Sequence, residues 1–100
     1  MALIYVTCAS RKEAEKISRH LLRKRLIGCA NLFPIRSLYW WKGKIASAGE
    51  HVFLAKAPDK NIRKAENEIR RLHSYEIPCI LKIRAEMNYE YEKWLTQETK

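Results

Sequence analysis

The chain has 100 residues, of which 47% are hydrophobic and 31% charged, with only three glycines and three prolines. This composition is typical of one folded domain, here predicted to span residues 1–100, and it excludes the fibrous and disordered classes. The formal net charge of +9 favours an acidic partner such as nucleic acid, anionic lipid or an acidic protein, without choosing among them.

Cysteine usage and the N-terminus bear on the compartment. The apolar run at residues 2–6 is too short for the core of a signal peptide or for a membrane span. Cys8, Cys29 and Cys79 are odd in number and form no C-x-x-C pair, so neither a disulfide framework nor a structural zinc site is indicated. We therefore expect a soluble cytoplasmic protein with reduced thiols and no contact with a membrane.

The first half of the chain predicts a strand, a helix and two long strands. Residues 3–8 are almost continuously apolar, as in a central strand covered on both faces. Ser10 lies three residues before Glu13, the spacing of a capping box, and starts a helix that ends near residues 26–28. Strands at 29–41 and 44–57 are joined by a tight turn in which Gly43 supplies a positive φ.

The second half predicts a helix, a strand and a short final helix. Pro58 ends the third strand, and Asp59 is expected to cap the second helix. Residues 78–84 read as a fourth strand, and Asn88 caps the last helix. The order β-α-β-β-α-β is that of a ferredoxin-like α+β sandwich, here with a long hairpin between the second and third strands and an extra C-terminal helix.

Three consecutive aromatics, Tyr39, Trp40 and Trp41, stand at the tip of the predicted hairpin. Each arm is more than twice as long as the usual strand of roughly five to six residues, so its outer half extends beyond what two helices cover. In residues 3–6 and 51–55 the side chains on both faces of the sheet are mostly apolar. Both helices pack on one face in this fold, so the second apolar face is left uncovered. We therefore predict an obligate homo-oligomer with these aromatics as interface anchors, in preference to platforms for stacking bases.

Four segments carry a family resemblance: RLIGCANL at 25–32, SLYWWKGK at 37–44, LHSYEIP at 72–78 and YEKWL at 91–95. Over essentially the whole chain they resemble the CutA family of divalent-cation-tolerance proteins. The resemblance implies a cytoplasmic homotrimer whose long hairpins reach onto neighbouring chains, and a part in the response to heavy metals, with copper bound by some members. No established catalytic reaction comes with the family, so we expect no enzyme.

The chain departs from the family pattern where copper is concerned. Ser74 stands where the family usually has proline, and Cys79 where it commonly has glutamate. In members credited with copper binding, a cysteine ends the first strand and paired histidines precede Pro-Tyr. The matching positions here hold Val6 and Leu72, so only His73 carries over from that site.

Cys8, His73 and Cys79 form the candidate metal site. In the predicted topology the end of the first strand lies near the start of the fourth, where the second helix delivers His73. Thiolate and imidazole suit copper(I) or zinc, and copper is the cofactor considered first. In the alternative, the two cysteines are buried small hydrophobes and His73 satisfies a backbone partner near the helix end.

The resemblance further implies that Glu50, Lys56, His73 and Tyr75 line a cleft between subunits. Such groups either bind a small anion or metabolite, or form a hydrogen-bond network that fixes the trimer. The structural interpretation is preferred, because no nucleophile stands beside a base. The alternative function is a trimeric small-ligand or partner-binding signalling module, similar in fold to the nitrogen-regulatory signal proteins.

A basic stripe lies opposite the apolar face of the first helix. A solvated surface is the favoured interpretation, and an anionic partner is the alternative. Nucleic-acid binding is a minor alternative, because residues 50–56 lack the RNA-binding pattern with its stacking aromatics. The stripe comprises Lys12, Lys16, Arg19 and Arg23.

Overall fold

The fold is a four-stranded antiparallel sheet with helices packed against it, described over residues 1–100 by a computed structural model. The strand order in the sheet is β2-β3-β1-β4. This confirms the predicted ferredoxin-like order with one added C-terminal helix. The elements are β1 Ala2–Cys8, α1 Arg11–Arg23, β2 Cys29–Trp41, β3 Lys44–Ala57, a 3-10 turn Asp59–Asn61, α2 Ile62–Leu72, β4 Ile80–Arg84 and α3 Tyr89–Glu98.

The core lies between the sheet and the apolar stripes of α1 and α2. Side chains alternate along a strand, and every second residue of β1 is buried on this side. Ile17 of α1 and Ile69 of α2 are fully buried against them, together with Phe53 of β3. The end of β1, at Cys8, therefore lies under the helix layer, which positions the site described below.

The start of α1 agrees with the capping pattern in the sequence. Ser10 Oγ accepts a hydrogen bond from the backbone N–H of Glu13 at 3.1 Å. Glu13 Oε1 accepts one from the backbone N–H of Ala9 at 3.0 Å. The first bond satisfies an N–H group that the first turn of a helix leaves without a partner, and the second ties the residue before the N-cap to the helix.

The end of α1 comes earlier than predicted. The helix stops at Arg23, because Arg25 adopts the left-handed conformation with φ 60°. The N–H groups of Arg25 and Leu26 then bond back to Leu22 O at 3.0 Å and Leu21 O at 3.1 Å, which is a Schellman motif. Glycine is the usual residue at such a position, so the sequence carries no stop signal there.

The prediction that Asp59 caps α2 is wrong. The N-cap is Asn61, whose side chain makes no capping bond and instead donates to Leu26 O at 3.1 Å. Asp59 opens the 3-10 turn, where its carboxylate lies 3.3 Å from the N-terminal ammonium of Met1 and 3.9 Å from Arg84. The carboxylate of Asp59 therefore contacts these two cations and does not bond to the N–H groups at the start of α2.

β4 and α3 need smaller corrections. β4 begins at Ile80, two residues after the predicted start. Asn88 is the N-cap of α3, as predicted, although its side chain makes no capping hydrogen bond. Leu95 of α3 is fully buried and occupies the place that a side chain at Gly28 would need.

β2 and β3 form a hairpin that projects from the body of the molecule. Lys42 and Gly43 at its tip both have positive φ, 51° and 76°, the geometry of a two-residue type I′ turn. The longest dimension of the chain is 46 Å, against 24 and 20 Å for the other two. Within one chain the tip is uncovered: Trp40 is 74%, Trp41 62% and Tyr39 43% exposed.

Candidate functional site

Cys8, Glu13 and His73 meet where β1 ends, α1 begins and α2 ends. One potential ligand atom from each lies within 4.8 Å of the other two. Cys8 is fully buried, His73 is 9% exposed and Glu13 is half-buried. The structure thus brings together two of the three predicted ligands and adds Glu13, whereas Cys79 is exposed and lies outside the group.

Both ring nitrogens of His73 are engaged by the backbone. Nε2 lies 2.8 Å from the carbonyl oxygen of Thr7, and because a carbonyl only accepts, Nε2 carries the proton. Nδ1 accepts a hydrogen bond from the backbone N–H of Tyr75 at 3.0 Å. Nδ1 is therefore already engaged as an acceptor, and a metal ion that used it would have to replace the N–H of Tyr75.

Glu13 ties the start of α1 to the segment that follows α2. Its two carboxylate oxygens accept hydrogen bonds from the backbone N–H groups of Ala9 at 3.0 Å and Ser74 at 2.8 Å. Burial disfavours the ionised form, but the hydrogen bonds from Ser74 and Ala9 outweigh it and hold the pKa of Glu13 below its ordinary value. The ionised carboxylate keeps further lone pairs with which it can ligate a cation.

Cys8 is protonated at neutral pH. Burial, followed by the negative charges of Glu13 and Glu50, raises the pKa of its thiol to about 12. A thiol in this state is a poor nucleophile. Since only the thiolate binds metal, occupation of the group must release this proton, and metal affinity there rises with pH.

The three donor types suit a thiophilic metal ion, but the donor atoms lie slightly too far apart to bind one. Thiolate, imidazole and carboxylate all ligate zinc, and the first two also suit copper. Around a tetrahedral ion, with bonds of about 2.0–2.3 Å, donor atoms stand roughly 3.3–3.8 Å apart. The observed spread of 4.8 Å therefore calls for an inward movement of about 1 Å.

A separate pocket of about 530 Å³ opens on the face of the sheet opposite Cys8. At this pocket Tyr75 donates its hydroxyl to Glu50 Oε2 at 2.7 Å. Burial, together with the hydrogen bond and charge of Glu50, raises the pKa of Tyr75. Tyr39 and Trp41 of the hairpin complete an aromatic wall, and Cys79 lines this pocket instead of the metal group.

Lys56 does not join Glu50 and Tyr75 within one chain. It lies six residues further along β3, which corresponds to roughly 20 Å in a strand. Its Nζ stands 5.2 Å from the ring centre of Tyr91 in α3, a cation–π contact. The polar set implied by the resemblance is therefore divided between two ends of the sheet.

The family model described as CutA1 divalent ion tolerance protein matches residues 2–98. The chain belongs to the CutA1 family. The divalent-cation tolerance protein CutA of Archaeoglobus fulgidus is 39% identical over 95 residues, with 94% of this chain and 93% of that protein covered. The protein of the same description from Thermotoga maritima is 41% identical over 98 residues, with 97% of each chain covered.

Solved CutA1 structures have the same fold. The crystal structure of CutA1 from Pyrococcus horikoshii superposes with a TM-score of 0.96 at 38% identity, covering 100% of this chain and 99% of that one. The A. fulgidus structure gives a TM-score of 0.95 at 37% identity over the whole of both chains, and it is described as a periplasmic divalent cation tolerance protein. In the present chain no helix is both long enough and apolar enough to span a bilayer.

Proposed function

We propose that this CutA1 chain binds a soft or borderline metal ion, copper first, at Cys8, Glu13 and His73, and takes part in the response to heavy metals. The observation that carries the proposal is the meeting of three different donor types within 4.8 Å at a buried strand end. The family's description, divalent ion tolerance, also supports a function that involves metal ions. The bound metal would be a ligand of the folded protein and would add stability to it.

The three side chains have separate tasks in this proposal. Cys8 supplies the soft ligand once its thiol has lost its proton, and burial keeps competing water away from the sulfur. Glu13 contributes negative charge, which offsets that of a cation. His73 is oriented by Thr7 O and offers Nδ1 when the N–H of Tyr75 is released. Fixing the ring through its second nitrogen is how proteins commonly orient a metal-binding histidine.

Two cysteines of the same chain provide a matched test. Reduced protein is titrated with copper(I) against a competing chromophoric chelator, in the wild type and in the Cys8→Ala and Cys79→Ala variants. We expect Cys8→Ala to weaken binding by about tenfold or more and Cys79→Ala by less than about twofold. Equal affinity in Cys8→Ala and the wild type, with the variant folded by circular dichroism, contradicts the proposed site.

The proposal includes assembly into a homotrimer, as implied for the family. Support comes from the apolar surface that one chain leaves bare, namely the hairpin tip and the sheet face opposite the helices, where Leu81 and Ile83 are exposed. Contiguous apolar surface of this kind marks an interaction site in a soluble protein. Cyclic assembly would bury the same patches in every copy.

We also propose that the chain binds and does not catalyse, and that it works in the cytoplasm. The protonated thiol of Cys8 gives no activated nucleophile at neutral pH. All three cysteines are free, as suits a reducing compartment. Secretion of the native protein to the periplasm, shown by cell fractionation, would contradict the cytoplasmic location.

A second candidate function is that of a small-ligand module using the pocket at Tyr75 and Glu50. Its volume of about 530 Å³ lies within the range of small-molecule sites, and the carboxylate of Glu50 faces it beside two aromatic hairpin residues. An amine or hydroxyl ligand would replace the Tyr75 hydroxyl as donor to Glu50. Thermal-shift screening with aliphatic amines and polyols tests this candidate, and Glu50→Gln should abolish any shift found.

A further inference from the structure

A basic depression lies on the helix side of the molecule and shares no residue with the candidate metal group. It has a volume of about 640 Å³ and lies between the segment after α1, the start of α2 and the C-terminal residue. Four lysines and one acidic residue, Glu68, line it, so the side chains of the lining carry a formal net charge of +3. The lysines are Lys24, Lys60, Lys64 and Lys100.

Glu68 leaves most of this positive charge unbalanced. One of its oxygens lies 2.7 Å from His20 Nε2 and 3.1 Å from Lys24 Nζ, and the other lies 3.2 Å from Arg71 Nε. Hydrogen bonds from Arg71, His20 and Lys24 hold the pKa of Glu68 well below its ordinary range. The carboxylate is thus saturated by its neighbours. The lysines of the pocket that have no carboxylate partner are Lys60, Lys64 and Lys100.

We propose that this lysine pocket binds a short polyphosphate chain, with inorganic triphosphate as the simplest ligand. Ammonium groups are compact point charges that suit phosphate oxygens. The pocket volume falls in the range of about 300–1,000 Å³ of small-molecule sites. Like charges gathered in one depression repel each other, and a multiply charged anion relieves that repulsion at several lysines at once.

The lining also specifies which part of a phosphorylated molecule is recognised. Leu26 is the only hydrophobic residue of the lining, and no aromatic side chain belongs to it. Stacking of a nucleobase depends on such aromatics. The phosphate chain therefore provides the binding energy, and we expect ATP and inorganic triphosphate to bind with affinities that differ by less than about threefold.

The test compares two double variants with the same loss of charge. Lys60→Gln/Lys64→Gln removes two lysines of the pocket, whereas Lys12→Gln/Lys16→Gln removes two exposed lysines of α1 that lie outside it. Metal-free protein is titrated calorimetrically with inorganic triphosphate at about 0.1 M salt, where distant charges are largely screened. We expect the pocket variant to lose about tenfold or more in affinity and the α1 variant less than about twofold.

Several outcomes would overturn the proposal. Equal losses in the two double variants would show attraction by the overall charge of the molecule. Binding weaker than about 1 mM in the wild type would remove the site. Single-stranded RNA that binds more tightly than triphosphate, and is weakened equally by both variants, would point to a diffuse nucleic-acid surface. Cys8→Ala must leave triphosphate binding unchanged, so this test is independent of the metal proposal.

Discussion

His73 and Glu13 both form hydrogen bonds with the backbone: His73 with one carbonyl and one N–H group, and Glu13 with two N–H groups. His73 connects β1 to the segment after α2, and Glu13 connects that segment to the start of α1. A metal ion bound to Nδ1 of His73 would compete with the N–H of Tyr75 for the same lone pair. At the scale of single residues, stability and metal binding are therefore coupled through the same atoms.

Glu13→Gln tests this structural role through pH. Because its pKa is lowered in the folded protein, the unfolded state binds more protons at acidic pH. The stabilisation from Glu13 is then fully present above its ordinary value of 4.5 and is lost as pH falls through the folded value. We expect urea denaturation at pH 7 to show a loss of about 1–2 kcal/mol, with a smaller difference near pH 3.

Glu15→Gln is the control for that measurement. Glu15 is also half-buried on α1, but its only ionic contact is with the exposed Arg19 at 3.8 Å. Such a pair contributes about 0.5 kcal/mol or less. A pH dependence that is the same in Glu13→Gln and the wild type would show that ionisation of Glu13 does not stabilise the fold.

The sequence predicted the residues of the site in part. Cys8 and His73 follow from topology, because the end of β1 and the end of α2 must lie close in this fold. The sequence pattern predicts only a capping role for Glu13, although a carboxylate at the third position of α1 is near Cys8 for the same topological reason. Cys79 lines the pocket on the other face of the sheet, since its neighbour Ile80 packs against the core and adjacent side chains of an extended segment point to opposite faces.

α3 is fixed to the rest of the chain by two residues that precede β2. Arg25 holds the end of α3, since its guanidinium donates to the carbonyl of Glu98 at 3.1 Å and to its carboxylate at 2.9 Å. Gly28 faces Leu95, and a Cβ there would overlap the leucine side chain. At the scale of elements, these contacts hold α3 against the segment between α1 and β2.

Gly28→Ala should destabilise the protein by about 1–3 kcal/mol, because Leu95 is fully buried and has little room to move. Gly49→Ala is the matched control, since nothing lies within 4 Å of a Cβ at that position and its φ is not positive. We expect the control to change stability by less than about 0.5 kcal/mol in urea denaturation. Equal effects at both glycines would contradict the packing argument.

The type and order of the elements were predictable, and the helix ends were less so. Apolar residues recur every second position in strands and about every 3.6 positions in helices, because one face of each element is buried. This periodicity can be read from the sequence itself. α1 ends where the left-handed Arg25 bonds to Glu98, and Asp59 pairs with Met1 and Arg84 instead of capping α2. Such contacts join residues that are distant in the sequence, and no local pattern reports them.

The shape of the whole molecule follows from the hairpin. A single chain extends to 46 Å and exposes most of its tryptophan surface at the far end of that axis. Burying a large apolar side chain contributes about 1.5–3 kcal/mol, so the tip aromatics together favour association. The sequence predicted the exposed tip from strand length alone, and its burial against sister chains stays a prediction.

Light scattering after size exclusion tests the proposed assembly. Chains of 11.8 kDa should give a particle of about 35 kDa for the wild type if the closed assembly is a trimer. Trp40→Ser/Trp41→Ser should shift this toward the mass of one chain at micromolar concentration, whereas Tyr89→Ser, an exposed aromatic on α3, should not. A wild-type monomer would contradict the assembly.

X-ray absorption spectroscopy at the copper edge tests the central functional claim most directly. In the Cys29→Ser/Cys79→Ser protein loaded with copper(I), Cys8 is the only thiol left. We predict one sulfur neighbour together with lighter nitrogen or oxygen neighbours, and loss of the sulfur signal when Cys8 is also replaced. Copper bound only through nitrogen and oxygen, or copper that does not remain bound, would contradict a metal site at Cys8, Glu13 and His73.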